Sequence, residues 1–393
     1  MRPRTLHMRD RLARITAAYA FCHVVVDLAC VTTVLGWAAP FFGLRSVQHS
    51  ALAILAYDLV AFCFQLPLGA LLDALGRRQS RRAAMASFAL VAAGVSAGWA
   101  GADWLGFVPA APIQVAAGLL VALGNALFHC VGGVEVLGES DGRAAPSGMF
   151  ISTGALGVFV GGLTAFNGWR GTPVLLLVLL VACAAAVLWA PSSDEPGELQ
   201  LAVSPIGWAA VALLAMTVAL RSYTGMVMAF PWKTEFALAL TAILAVVAGK
   251  AVGGCVSDVL GAPLTSAFSL GVAALLFPFA HTSVAAGLAA TFLFNFTMAI
   301  TLSALAGLMP QAHGLAFGLA SFALAMGALP ALLGLRATSG GALAILSLAS
   351  LIFLELGLML ARRTHSTSNS ASAAGGSVRV DPARLGRHPR RRP

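Results

Sequence analysis

His23 and Asp27 lie four residues apart in an otherwise apolar stretch, and Asn125 and His129 repeat that spacing about a hundred residues later. Residues four apart share one face of a helix. An imidazole beside a carboxylate can hold and release a proton near neutral pH, because desolvation and mutual charge move both groups. Further along, Arg221 with Tyr223, Lys250, and Asn295 interrupt apolar runs. An arginine facing a cavity favours an anionic ligand. Arg221 also suits the outer interface or the neutralisation of a carboxylate such as Asp27. Lys250 suits either an interfacial position or a pair with Asp258. Asn295 and Gln65 also suit hydrogen bonds between helices. Asp58 is expected near the outer end of its segment, and Glu135 near the inner end beside Arg77 and Arg78.

These groups need an apolar scaffold, and the composition supplies one. The 393-residue chain is 59% hydrophobic and 10% charged, with mean hydropathy +0.88. Soluble domains carry about a quarter charged residues, so the bilayer must solvate most of this chain. A helix needs about 20 apolar residues to cross hydrocarbon. Twelve segments qualify: roughly 15–36, 51–72, 83–100, 112–136, 147–167, 172–190, 205–228, 236–257, 263–281, 283–308, 314–335 and 339–361. The reading is an all-α membrane protein. Residues 1–14 form an N-terminal tail and 15–190 a six-helix bundle. Residues 191–204 form a linker, 205–361 a second six-helix bundle, and 362–393 a disordered basic tail.

The net charge of +9 gathers in the N-terminal tail, around Arg77 to Arg82, and after Arg362. Cationic loops stay in the cytoplasm, so both termini are expected there, in a multi-pass protein of the cell inner or plasma membrane. The acidic linker around Asp194 and Glu195 runs against that rule and is outvoted by the other loops. This distribution argues against a nucleic-acid partner. Trp37, Trp104, Trp169 and Trp232 fall near expected outer ends and read as interface anchors. Six cysteines lie in or beside apolar segments without metal or redox spacing. Rising about 1.5 Å per residue, His23 and Asp27 lie roughly 13 and 20 Å into their helix. His129 and Asn125 match them at roughly 15 and 21 Å.

One pattern occurs twice. Gly69-Ala-Leu-Leu-Asp73-Ala-Leu-Gly76-Arg77-Arg78 ends one apolar segment, and Gly254-Cys-Val-Ser-Asp258-Val-Leu-Gly261 ends another nearly half the chain later. Both read G-x-x-x-D-x-x-G, as a duplicated transporter would. The first copy resembles the helix 2–3 loop signature of the major facilitator superfamily, and the second falls where that family repeats it. The resemblance implies twelve transmembrane helices in two pseudo-symmetric six-helix bundles. It also implies that Gly69, Asp73, Gly76, Arg77, Arg78, Gly254, Asp258 and Gly261 form a cytoplasmic latch. The second copy lacks the arginines, so its latch is expected to be weaker. Gly148, Gly157 and Gly161 match the spacing of that family's antiporter glycine motif without the proline that follows it. This supports export, while close helix packing explains the same glycines.

In the family fold helices 1 and 4 line the central cavity, so His23, Asp27, Asn125 and His129 are expected to form one polar cluster. The pattern His23-x3-Asp27 with Asn125-Ala-Leu-Phe128-His129-x-x-Gly132-Gly133 is similar to the fosmidomycin-resistance-like efflux branch, departing from it where Cys130 replaces a proline. The expected activity is therefore secondary active transport by alternating access: proton-coupled export of a small, possibly anionic compound or drug. His23, Asp27 and His129 would couple to protons, and Asn125, Arg221, Tyr223 and Asn295 would line the substrate cavity. The alternatives are an uptake permease or facilitator for a small metabolite and, remotely, an intramembrane metal-dependent enzyme using His23, Asp27, His129 and Glu135. Glu135 falls on another helix face and nearer the cytoplasm, which argues against that last reading. There is no phosphate-binding loop. No cofactor, metal or enzymatic activity is expected. The expected partners are a small-molecule substrate, protons and the lipid bilayer, with the protein a monomer.

Overall fold

The structure is a computed structural model that describes residues 3–43, 47–103 and 110–375. Among these residues every regular element is helical, and twelve helices are long and apolar enough to cross a membrane. They are α1 (Met8–Phe41), α2 (Ala53–Leu75), α3 (Arg77–Gly101), α4 (Ala111–Ser140), α5 (Ala144–Asn167), α6 (Thr172–Trp189), α7 (Pro205–Val227), α8 (Phe236–Leu260), α9 (Ala262–Phe279), α10 (Val284–Leu308), α11 (His313–Leu332) and α12 (Gly340–Thr364). A helix satisfies its backbone hydrogen bonds internally, which is why apolar sequence of this length adopts it in lipid. Trp104 lies outside the described residues.

The packing repeats on a shift of six helices. α1 packs on α5 as α7 packs on α11, and α3 packs on α4 as α9 packs on α10. The first six helices meet the last six along two seams, α2 against α11 and α5 against α8. Small residues permit the close approach. A Cβ on Gly69 would lie 2.0 Å from the Gly314 carbonyl oxygen, and one on Gly254 would lie 2.7 Å from that of Ala144. The expected two-bundle architecture is therefore observed.

Three helices are interrupted where a backbone bond is lost. In α1 a π-helical turn at Val34–Ala38 precedes Pro40. α2 breaks at Phe64, three residues before Pro67, whose missing N–H leaves the Cys63 carbonyl without its helical donor. α10 breaks after Phe294 and resumes at Thr297.

One end of the bundle, here the basic face, carries the start of α1, the α2–α3 turn, residues 191–204 and the end of α12. Arg11 reaches Glu139 at 3.0 Å and the Ser192 carbonyl at 2.9 Å. Residues 191–204 have no regular structure. They lie on the α2–α3 turn, where Arg78 N–H donates to the Glu195 carbonyl at 3.2 Å and Arg81 donates to the carbonyl of Ala190. The helix that contains α12 continues to Gly375, past the start of the expected disordered tail. Residues 376–393 lie outside the described residues.

Candidate proton and substrate site

At the basic face two carboxylates cross between the bundles, each bound to backbone N–H groups in the first turn of a helix from the other bundle. Asp73 accepts from Gly314 and Leu315, both at 2.8 Å, at the start of α11. Asp258 accepts from Ala144 at 2.7 Å and Ala145 at 3.0 Å, at the start of α5. Helix N-termini leave donors unsatisfied and carry partial positive charge, so a carboxylate suits each one. Gly76 and Gly261 end the preceding helices at φ +82° and +85°, which a side chain would strain. The copies differ in their surroundings: Asp73 is buried and Asp258 is exposed.

Arg77 braces the first copy. Its guanidinium meets Glu135 at 3.3 Å, Glu139 at 2.7 Å and Glu195 at 3.1 Å. Glu135 thus stands beside the Arg77 loop, as its sequence position indicated. Engaged there, it is not a fourth member of a His–Asp metal centre. Arg78 is exposed and meets the 191–204 segment through its backbone.

The four polar groups of α1 and α4 do converge. Asp27 accepts from the Asn125 amide at 2.8 Å. His23 Nε2 lies 3.3 Å from Asp27, and His129 Nε2 lies 3.8 Å from it. The two Nε2 atoms face each other at 2.8 Å. The opposite nitrogen of each ring is committed: Nδ1 of His23 donates to the Phe150 carbonyl at 2.8 Å, and Nδ1 of His129 donates to the Asn125 carbonyl at 2.9 Å. Carbonyl oxygens only accept, so both Nδ1 atoms carry hydrogen. Two neutral rings in that tautomer would set lone pair against lone pair. The 2.8 Å contact is therefore a place where one proton would bridge the two rings, beside the Asp27 carboxylate.

The ligating atoms of His23, Asp27 and His129 lie within 4.8 Å of one another, so the cluster also bears testing as a metal centre. Two imidazoles on one tetrahedral zinc stand roughly 3.3 Å apart, from bond lengths of about 2.0–2.1 Å. The observed 2.8 Å is the spacing of a hydrogen bond.

Helix α5 closes the cluster from the side. A Cβ on Gly154 would fall 2.3 Å from His23 Nε2 and 2.6 Å from Asp27 Oδ2. Gly157 and Gly161 are pressed on α1, and Gly148 on the Lys250 carbonyl of α8. The helix-5 glycines are thus used in packing, as their second reading had it.

Asp27 and His129 open on a cavity between the bundles, with two lobes of about 510 and 440 Å³. Arg221 of α7 and Lys250 of α8 line both lobes, and Asn125, Asp58 and Asn295 line the larger one. The larger lobe extends to Met228, Lys233 and Leu332, away from the basic face. Burial lowers the pKa of Lys233, whose ammonium donates to the Met228 carbonyl at 2.8 Å in the α7–α8 connection.

Several expected placements are corrected. Tyr223 turns from the cavity to the α11–α12 connection, where its hydroxyl donates to Leu335 and accepts from Ala337 N–H. Lys250 does not pair with Asp258: eight residues separate them along α8, about 12 Å of rise, and its ammonium reaches the Ile151 carbonyl at 3.4 Å. Asp58 does lie near the outer end of α2, as expected, and there lines the larger lobe. Asn295 donates to Thr291 O at 2.8 Å beside the break in α10. Sequence reasoning missed Gly154 and the Phe150 carbonyl, because a helical glycine and a backbone oxygen carry no mark of their neighbours.

No family model matches the chain, and no curated relative matches it by sequence. Solved structures do match. The fucose:proton symporter FucP of E. coli superposes with TM-score 0.64 at 11% identity, over 87% of this chain and 98% of that one. The fold is that of the major facilitator transporters. FucP in the outward conformation matches with TM-score 0.63 at 12% identity, over 88% of this chain and 98% of the other. The human organic anion transporter MFSD10 (TETRAN) matches with TM-score 0.60 at 14% identity, over 88% and 99%. At such identities the likeness is one of fold. In this major facilitator fold the cavity lies between the bundles, with the His–Asp cluster on one wall and Arg221 and Lys250 on the other.

Proposed function

We propose that the chain is a secondary transporter that works by alternating access and couples to protons through His23, His129 and Asp27. The observation that carries this reading is the 2.8 Å Nε2–Nε2 contact, with both Nδ1–H groups tied to backbone carbonyls, on the wall of the inter-bundle cavity. Ionisable groups at membrane depth are costly and mark ion and substrate routes. This cluster can accept a proton only in the gap between its rings or on Asp27, so its occupancy is tied to its geometry.

The cycle follows from the seams. Asp73 and Asp258 hold the basic face closed, and the cluster and the cavity lie between the bundles. Rocking one bundle against the other would break both caps and present the cavity to the basic face. Arginine density favours a cytoplasmic position for that face, in a cell membrane with both termini inside. Residues 15–190 and 205–361 are the two moving units, joined by 191–204, and a single chain contains the whole site. A fucose:proton symporter of similar fold supports the reading of proton coupling. Export remains the reading favoured by the helix-5 glycine spacing and by the resemblance to efflux transporters.

The test is a screen of small metabolites and drugs on proteoliposomes loaded with a pH-sensitive dye, with the pH gradient imposed in either sense. A transported compound should evoke a proton signal in the wild type and none in empty vesicles or in Asp27→Asn. Export predicts substrate movement opposite to the protons, and uptake predicts movement with them. Gradient-driven accumulation that survives intact in Asp27→Asn would remove the cluster from the coupling mechanism.

A further inference from the structure

Three cations line the cavity, and two of them, Arg221 and Lys250, have no carboxylate within 4.0 Å among the described residues. Arg221 is 6% exposed, forms no salt bridge within 4.0 Å among the described residues, and leaves its Nε without a partner. Its only hydrogen bond among the described residues runs from Nη2 to the Phe294 carbonyl at 3.3 Å, and its guanidinium lies 5.5 Å from the Phe294 ring centroid. Lys250 makes one long contact, to the Ile151 carbonyl at 3.4 Å. Two carboxylates share the cavity lining, Asp27 and Asp58. Asp27 is committed to the two imidazoles and to Asn125, and neither carboxylate lies within salt-bridge distance of either cation.

A buried charge without a partner is strongly unfavourable, and a guanidinium keeps its charge. Elsewhere in this chain a buried arginine is met in full: Arg77 touches three carboxylates. Much of the wall of the smaller lobe is apolar, formed by residues such as Phe62, Val218, Ile243, Met298 and Leu324. Its volume of about 440–510 Å³ falls within the range of small-molecule sites.

We infer that the cavity binds a small apolar acid, a compound with one oxyanionic head held jointly by Arg221 and Lys250 and an apolar body against the α5, α8 and α10 side chains. This names the ligand class of the transport site and rests on that reading only for the site's purpose. The head completes the Arg221 shell through the unused Nε–H. It also brings negative charge to the wall opposite His23 and His129, so that acid and proton would occupy one cavity together.

The test is isothermal titration of the full chain in detergent, without a gradient, so that it stands or fails apart from transport. The probes share one body: 4-phenylbutyrate, 3-phenylpropylphosphonate, the neutral 4-phenylbutanamide and the cationic 4-phenylbutylamine. Saturable binding of either oxyanion is expected, weakened at least about tenfold in Arg221→Gln and in Lys250→Gln. The amide and amine should bind at least about tenfold more weakly and respond little to either substitution. The carboxylate and phosphonate arms distinguish the two kinds of acid. Lys250→Gln is the second variant because Lys250 has only one long contact to lose. Absence of binding by both oxyanions overturns the inference. So does equal binding of amide and acid, or an acid preference that survives in both variants, which would leave Arg221 as a cap for the broken α10 alone.

Discussion

Asp73 and Gly314 lie 241 positions apart in the chain, yet the Asp73 carboxylate accepts the Gly314 N–H at 2.8 Å, as it does that of Leu315. This one contact joins the α2–α3 turn of the first bundle to the opening of α11 in the second. Its mirror is Asp258 with Ala144 and Ala145. Hydrogen bonds to a charged group are worth roughly 1.5–3 kcal/mol each. Asp73→Asn should therefore move the equilibrium between closed and open basic faces by about tenfold or more. Asp258→Asn should move it less, because Asp258 is exposed and screened by solvent. Electron-spin distance measurements across the α2–α11 seam check this. Unchanged distance distributions in Asp73→Asn would show that the cap does not hold the face shut.

The imidazole pair makes a spectroscopic prediction. Nitrogen NMR of histidine-labelled protein should show Nδ1 protonated in both His23 and His129, with one further proton between the Nε2 atoms. His129→Gln should abolish that proton and uncouple flux, leaving downhill exchange of substrate. Two rings that titrate independently, each with a bare Nδ1, would contradict the geometry.

Gly154 is the position of α5 that lies against the His–Asp cluster. A methyl group there meets His23 Nε2 at 2.3 Å and Asp27 Oδ2 at 2.6 Å, so Gly154→Ala must displace the cluster. Overpacking of this kind costs about 1–3 kcal/mol. The variant should melt several degrees lower and lose proton coupling. Gly162, on the same helix, has nothing within 4 Å of its would-be Cβ, and Gly162→Ala should behave as wild type. Equal thermal stability and equal coupling in the two variants would refute this account of α5.

Arg77 can be tested by stability alone. Replacing it with Met leaves Glu135, 3% exposed, without its cation. Breaking a buried ion pair from one side costs about 3–5 kcal/mol. Glu195→Gln should cost far less, since that side chain is 64% exposed and such pairs contribute about 0–1 kcal/mol. Thermal melts of the two variants should differ clearly, and similar melts would mean that Arg77 is not the keystone of the basic face.

Apolar length alone determined the helices. Twelve runs near 20 residues leave the backbone no alternative in lipid, and the doubled Gly–Asp–Gly pattern announced the two bundles. Helical spacing and depth also brought His23, Asp27, Asn125 and His129 to one level, because rise per residue is fixed. Which atoms then met was beyond any local rule. The Phe150 carbonyl sets the His23 tautomer from 127 positions away. The first N–H groups of α11 and α5, not the loop arginines, receive the two aspartates. Tyr223 left the cavity and Lys250 entered it, since where a side chain points depends on how its helix is rotated against its neighbours. That rotation is set by the small-residue contacts between helices, and only the tertiary structure decides it.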